Sequence, residues 1–237
     1  MALEGERVVV VGGSSGIGLE TARLALAAGA SVTIAGRSED RLRRAAADLG
    51  GAVRSVVADV TDDGSVKALF DGETRVDHVF LPAGELKPGG GDVLGADLSA
   101  LRSILESRLL GVIHVVRRAR PKMAAGSITL MSGLYANRPA PGAALGAAAV
   151  AAIDGMTRAL ALDLAPIRVN AVAPGLIDTP LWDSFGPQRE AILAQATALP
   201  VGRIGRPDEV AAAVLLLMSN GFITGTVLAI DGGGSLV

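Results

Sequence analysis

Short apolar runs rich in valine, isoleucine and alanine alternate along this 237-residue chain with longer stretches carrying charges at helical spacing. β-Branched runs bounded by Gly, Pro or Ser read as buried strands, and the stretches between them read as helices. The pattern predicts strands over 8–11, 31–35, 53–58, 76–81, 127–131, 167–173 and 227–230. Helices are predicted over 16–28, 39–49, 62–70, 97–118, 142–164 and 207–218, the last opening with Pro207 and acids in its first turn. Strict alternation implies one α/β domain, a doubly wound parallel sheet of about seven strands with helices on both faces. Two stretches stand apart: a Gly- and Pro-containing loop over 87–91, and 176–199 with Trp182.

The first apolar run, Val8 to Val11, breaks into Gly12-Gly13-Ser14-Ser15-Gly16-Ile17-Gly18 and then an alanine-rich helix. The first N–H groups of a helix lack partners within it, and the helix dipole presents its positive end there. A pyrophosphate can dock at such a terminus when no side chain blocks it. Gly12, Gly16 and Gly18 remove those side chains, and a strand before and a helix after give the glycines the context that dinucleotide binding requires. The second strand ends at Gly36-Arg37-Ser38, where an acidic residue would take the ribose hydroxyls of NAD. Arg37, with Ser14 and Ser38 nearby, favours the 2′-phosphate of NADP(H) instead.

Composition narrows the remaining classes. The chain is 50% apolar, which suits one large core, and its net charge of -2 with scattered basic residues argues against nucleic acid or an anionic membrane as partner. Without cysteine there is no disulfide, thiolate nucleophile or cysteine-ligated metal, and two histidines leave little for a metal site. No apolar run reads as a membrane span and no leader pattern precedes the first strand, so a cytoplasmic protein is expected.

These residues resemble the short-chain dehydrogenase/reductase family from end to end. Gly12-x-x-x-Gly16-x-Gly18 matches the family's cofactor turn, and Ala83-Gly84 the end of its Asn-Asn-Ala-Gly motif. Ile167-Arg168-Val169-Asn170 followed by Pro174-Gly175 is similar to its sixth-strand signature, and Thr224-Gly225 and Asp231-Gly232-Gly233 to its C-terminal marks. The resemblance implies a Rossmann-type fold and a cofactor set of Gly12, Ser14, Ser15, Gly16, Ile17, Gly18, Arg37, Ser38, Asp59, Val60, Ala83, Gly84, Pro174, Gly175, Ile177 and Thr179. In that set Asp59 meets the adenine, while Ile177 and Thr179 meet the nicotinamide amide and the phosphates. A substrate lid over about 176–199, and a homodimer or homotetramer through the helices at 97–118 and 142–164, are implied as well.

The catalytic half departs from the family pattern. The family places a tyrosine four residues before a lysine, helped by a serine after strand five and an asparagine in the fourth helix. Here the matching positions hold Gly146, Val150, Gly133 and Arg108. A shifted alignment does not restore the tetrad, because the one tyrosine is Tyr135 and the lysines are Lys67, Lys87 and Lys122. The candidates left for catalysis are Arg108, where a cation could hold an oxyanion, Tyr135 in the loop rimming the pocket, and Ser132. Trp182 and Phe185 fall where the lid would be, His78 and His114 read as structural, and Asp154 as facing solvent or pairing with Arg158. Three function classes follow: an NADPH-dependent reductase of a small molecule with a nonstandard site, a noncatalytic NADP(H)-binding subunit or sensor, and a non-redox isomerase or cyclase.

Overall fold

The first valine run forms β1 (Arg7–Val11), and Val8, Val9, Val10 and Val11 are each at most 1% exposed. Alternate side chains leave a strand on opposite faces, so Val8 and Val10 enter one core layer while Val9 and Val11 enter the other. Burying each contributes about 1.5–3 kcal/mol, which fixes β1 as an interior strand. The computed structural model describes residues 2–50, 53–82, 93–95 and 97–237.

The other strands are β2 (Ser31–Gly36), β3 (Arg54–Val57), β4 (His78–Leu81), β5 (Ser127–Met131), β6 (Arg168–Pro174) and β7 (Val227–Ile230). All neighbours pair in parallel, in the order β3-β2-β1-β4-β5-β6-β7. The order reverses direction between β1 and β4, and in such sheets a crevice opens there at the carboxyl ends of the strands. Helices α1 (Gly16–Ala27), α2 (Glu39–Asp48) and α8 (Pro207–Ser219) cover one face. On the other lie α3 (Asp63–Asp71), α5 (Gly111–Ala119) and α6 (Ala144–Asp163), with α4 (Leu98–Leu105) packed on α6. The short α7 (Gln188–Ala194) sits between β6 and α8 in the chain.

The long helix expected over 97–118 is interrupted. A π-helical turn, Glu106–Leu110, joins α4 to α5 and packs against α6. Gly111 begins α5 because a Cβ there would lie 2.9 Å from Val60 Cγ2, and His114 Nδ1 bonds the Val60 carbonyl at 2.8 Å. His114 therefore seats α5 on the loop after β3. His78 is structural too, buried at the start of β4 between Ser127 Oγ (2.8 Å) and Glu6 Oε2 (2.5 Å), at the far edge from the crevice.

The strand-six signature is explained by what it holds. Arg168 donates to the carbonyls of Leu217 and Met218, both at 2.6 Å, satisfying the end of α8 where a cation also complements the dipole. Buried Asn170 donates to Ile223 O and accepts from Thr226 N, fixing the entry to β7. Helix α6 departs from expectation in one respect. Its 20 residues are long and apolar enough, by length and composition only, to cross a membrane, although the sequence pattern showed no such run. Ala149, Val150, Ile153 and Thr157 form its buried face.

Candidate functional site

Between β1 and α1 the glycines do what the sequence required of them. Gly12 has φ +107° and Gly16 φ +53°, conformations that disfavour a side chain, and a Cβ on Gly18 would lie 2.1 Å from the Gly12 carbonyl oxygen. Ser15 caps α1 in extended backbone without a side-chain hydrogen bond, so no side chain of its own covers the first N–H groups. Thr179 stands over the turn, its Cγ2 3.2 Å from where a Gly16 Cβ would be, and the Pro82 ring lies 3.1 Å from the corresponding point on Gly18. A bare helix terminus at the switch point fits a dinucleotide phosphate.

The rim beside β2 is polar. Ser14 Oγ lies 3.6 Å from the Cβ position of Gly36, and Arg37 follows with its side chain in solvent. Ser38 caps α2 by accepting from Arg41 N at 3.3 Å, which leaves its hydroxyl proton able to donate elsewhere. Asp59 has one carboxylate oxygen committed to Thr61, 2.9 Å from its N and 2.8 Å from its Oγ1, so only the other remains for an adenine. Ala83, Gly84 and the 87–91 loop lie outside the described residues.

After β6, Gly175 lets the chain pass β7, since a Cβ there would be 2.8 Å from Asp231 Cα. Ile177 is buried and bridges to Gly205, and its carbonyl accepts the Trp182 indole N–H at 2.7 Å. The expected lid is thus tied to its own base. Trp182 and Phe185 pack as a tilted ring pair at 5.4 Å, and Arg189 joins Asp183 (3.2 Å) and Asp178 (3.4 Å).

The candidate catalytic residues separate in space and in role. Arg108 sits in the π-helical turn, half-buried by area yet closely enough surrounded that loss of water pulls its pKa below the ordinary arginine value. Tyr135 is 40% exposed in a short 3₁₀ turn after β5, which Arg138 anchors by donating to Gly234 O at 2.6 Å. Ser132 corrects an expectation: it is 4% exposed, and its hydroxyl turns to α6, 2.5 Å from Asp154 Oδ1 and 3.3 Å from Val150 O. A buried hydroxyl so engaged ties β5 to α6 and is not presented to a substrate carbonyl. Asp154 is half-buried and accepts from Ser132 with one carboxylate oxygen, a partner not expected from the sequence. The i, i+4 spacing of Gly146, Val150 and Asp154 was the one available signal for that partnership.

Gly146 and Gly133, expected from the resemblance to stand at the family's tyrosine and serine positions, have space beside them. A Cβ at Gly146 would meet nothing within 4 Å among the described residues, and one at Gly133 would meet only Val150 Cγ1, at 3.7 Å. The positions 133, 146 and 150 therefore share one region, with side-chain room at two of them.

A seven-stranded parallel sheet, a switch point and a glycine-lined helix terminus define a Rossmann-type α/β protein. The chain belongs to the short-chain dehydrogenase/reductase family. Residues 11–235 match the family model described as Enoyl-(Acyl carrier protein) reductase. The cis-4-hydroxycyclohexanecarboxylate dehydrogenase of Sinomonas cyclohexanicum is 37% identical, covering 98% of each chain. MalC Reductase/Diels-Alderase from Malbranchea aurantiaca superposes with a TM-score of 0.89 at 31% identity, covering 98% of this chain and 97% of its own. A small-chain dehydrogenase solved in complex with NADPH gives a TM-score of 0.86 at 31% identity, covering 99% of this chain and 100% of its own.

Proposed function

We propose that the protein is an NADP(H)-dependent reductase, a divergent family member in which Arg108 replaces the usual acid machinery, acting on a neutral or anionic conjugated carbonyl compound. The observation that carries this reading is the half-buried Arg108 in a π-helical turn packed on α6, the helix that carries Gly146 at the expected tyrosine position. Such turns recur at functional sites. Bound NADPH supplies a hydride. A simple ketone that accepts one becomes a strongly basic alkoxide, which this site protonates poorly. An enone that accepts one at its β-carbon becomes an enolate, whose oxygen a guanidinium can hold while water or the Tyr135 hydroxyl delivers the proton. A cationic imine 4 Å from Arg108 would be repelled by about 4 kcal/mol at an effective dielectric of 20. The description of the matching family model as an enoyl reductase supports the same substrate class.

The test is NADPH oxidation against conjugated carbonyls, simple ketones, secondary alcohols in reverse, and cationic imines. Conjugated carbonyls are expected to turn over fastest, and Arg108→Ala to lower that rate about 10²-fold, with Tyr135→Phe having a smaller effect. Ketone turnover surviving both substitutions would place the active site elsewhere. The vacancies at 133 and 146 favour a second reading, a noncatalytic NADP(H)-binding subunit, which no turnover of any class would establish. Likeness to a reductase/Diels-Alderase keeps a non-redox cyclase as a third reading.

Cofactor choice rests on Arg37, Ser14 and Ser38 at the end of β2, with Asp59, Val60, Ala83, Gly84, Pro174, Gly175, Ile177 and Thr179 completing the proposed set and 176–199 closing over it. Calorimetric titration is expected to show NADPH binding about tenfold or more tighter than NADH, ~1.4 kcal/mol or more, and Arg37→Asp is expected to reverse that order. Equal affinities in the unaltered protein would refute it.

We further read the exposed apolar residues Leu105, Leu110, Ile113 and Leu162, beside the small side chains of α6, as a face that pairs with a second copy. Leu216 and the 99% exposed Phe222 would serve a second interface in a tetramer. Light scattering at micromolar concentration is expected to give a dimer or tetramer, and a monomer would refute the pairing.

A further inference from the structure

At the base of the lid a cavity of about 140 Å³ lies between the chain leaving β6, the chain returning from the lid and the end of β7. Its apolar wall is Leu176, Ile177, Leu199, Val201 and Ile230. Neither Arg108, Tyr135 nor Gly146 lines it, and it shares only Ile177 with the proposed cofactor residues. It is therefore distinct from the region where the reaction was placed.

The polar groups in the wall are already satisfied. Arg203 and Glu209 pair at 2.6 and 3.0 Å, with Arg203 also donating to Ile204 O at 3.0 Å. Glu209 accepts from Arg206 N at 2.8 Å as well, and these donors, Arg203 first, hold its carboxyl down to about 2. Asp231 accepts from Gly233 N and Ser235 N, each at 2.9 Å. A ligand entering here finds apolar surface, the Arg203–Glu209 pair and the Asp231 carboxylate held by backbone N–H groups. A volume of this size admits a single benzene ring, and the cavity opens to solvent beside Val201, which is 55% exposed.

We propose that this cavity is a second binding site, for a small neutral apolar molecule the size of one benzene ring or a short branched hydrocarbon chain. Occupancy is coupled to the lid, because the wall residue Ile177 offers its carbonyl to the Trp182 indole. Anions of the same size are excluded, since each would lie against the Glu209 and Asp231 carboxylates without a partner.

The probe is benzene, titrated into the whole protein without cofactor and followed by methyl NMR and by the emission of the one tryptophan, Trp182. Saturable shifts are expected at the methyls of Ile177, Leu199, Val201 and Ile230, with the Trp182 emission changing at the same midpoint. Leu176→Phe and Ile230→Phe, which fill the space independently, are each expected to weaken binding at least tenfold. Benzoate is expected not to bind. Shifts that do not saturate, or that centre on the Trp182–Phe185 ring pair, would overturn the proposal. So would unchanged binding in whichever filled variant folds, or equal binding of benzoate. None of these readouts depends on turnover, so the proposal stands or falls apart from the reductase reading.

Discussion

Installing Ser at Gly133, Tyr at Gly146 and Lys at Val150 together is expected to raise NADPH-dependent reduction of a simple ketone by about 10²- to 10⁴-fold, the usual contribution of a positioned general acid. The backbone permits it. A Cβ at Gly146 meets nothing within 4 Å among the described residues, and one at Gly133 makes an ordinary contact with Val150 at 3.7 Å. Residues 146 and 150 are four apart on α6 and share a face, so a lysine at 150 can lie beneath a tyrosine at 146. Val150 is 7% exposed, and an ammonium there would lose hydration. The Asp154 carboxylate, one turn further on and held by Ser132, supplies a partner that offsets this cost. Retained circular dichroism and NADPH affinity would show that the triple variant is folded. A folded variant that binds NADPH and gains no ketone turnover would mean that the reacting carbon does not lie beside Gly146, and the site as placed here would be wrong.

Gly18→Ala is expected to cost about 2–4 kcal/mol of stability and to abolish measurable NADPH binding. The added methyl would stand 2.1 Å from the Gly12 carbonyl oxygen and 2.9 Å from the Gly12 carbonyl carbon. Both are backbone atoms, so relief requires the turn itself to open, and the turn is what presents the N–H groups of α1. Gly36→Ala is the control: its methyl would make ordinary contacts, 3.6 Å to Ser14 Oγ and 3.8 Å to Leu42 Cδ2. That variant should unfold within about 0.5 kcal/mol of the parent. Urea denaturation and calorimetry check both, and a Gly18→Ala protein as stable as the Gly36→Ala one would refute the close-approach argument.

Much of this architecture was legible before any coordinate. The valine run of β1 could not be anything but a buried strand, and the glycines at 12, 16 and 18 marked a turn that must approach another backbone closely. Both are local properties, set by β-branching, side-chain alternation and the absence of a Cβ, and sequence carries local properties directly. The family's sixth-strand signature was legible as a motif, but its reason was not. Arg168 and Asn170 act on residues about 50 positions away, at the end of α8 and the entry to β7.

The sequence by itself determined the sheet, the glycine turn, the cation at Arg37 and the absence of a tyrosine four residues before a lysine, because each is a statement about which side chains exist and in what order. Only the tertiary structure decided how those side chains are used. It withdrew Ser132 into a bond with Asp154, put Arg108 half-buried in a π-helical turn, and tied Trp182 to Ile177 beside a largely apolar cavity. The physical reason is that a hydrogen-bond partner, the hydration of a charge and the space beside a glycine are set by segments far apart in the chain. No periodicity records them until the fold brings those segments together.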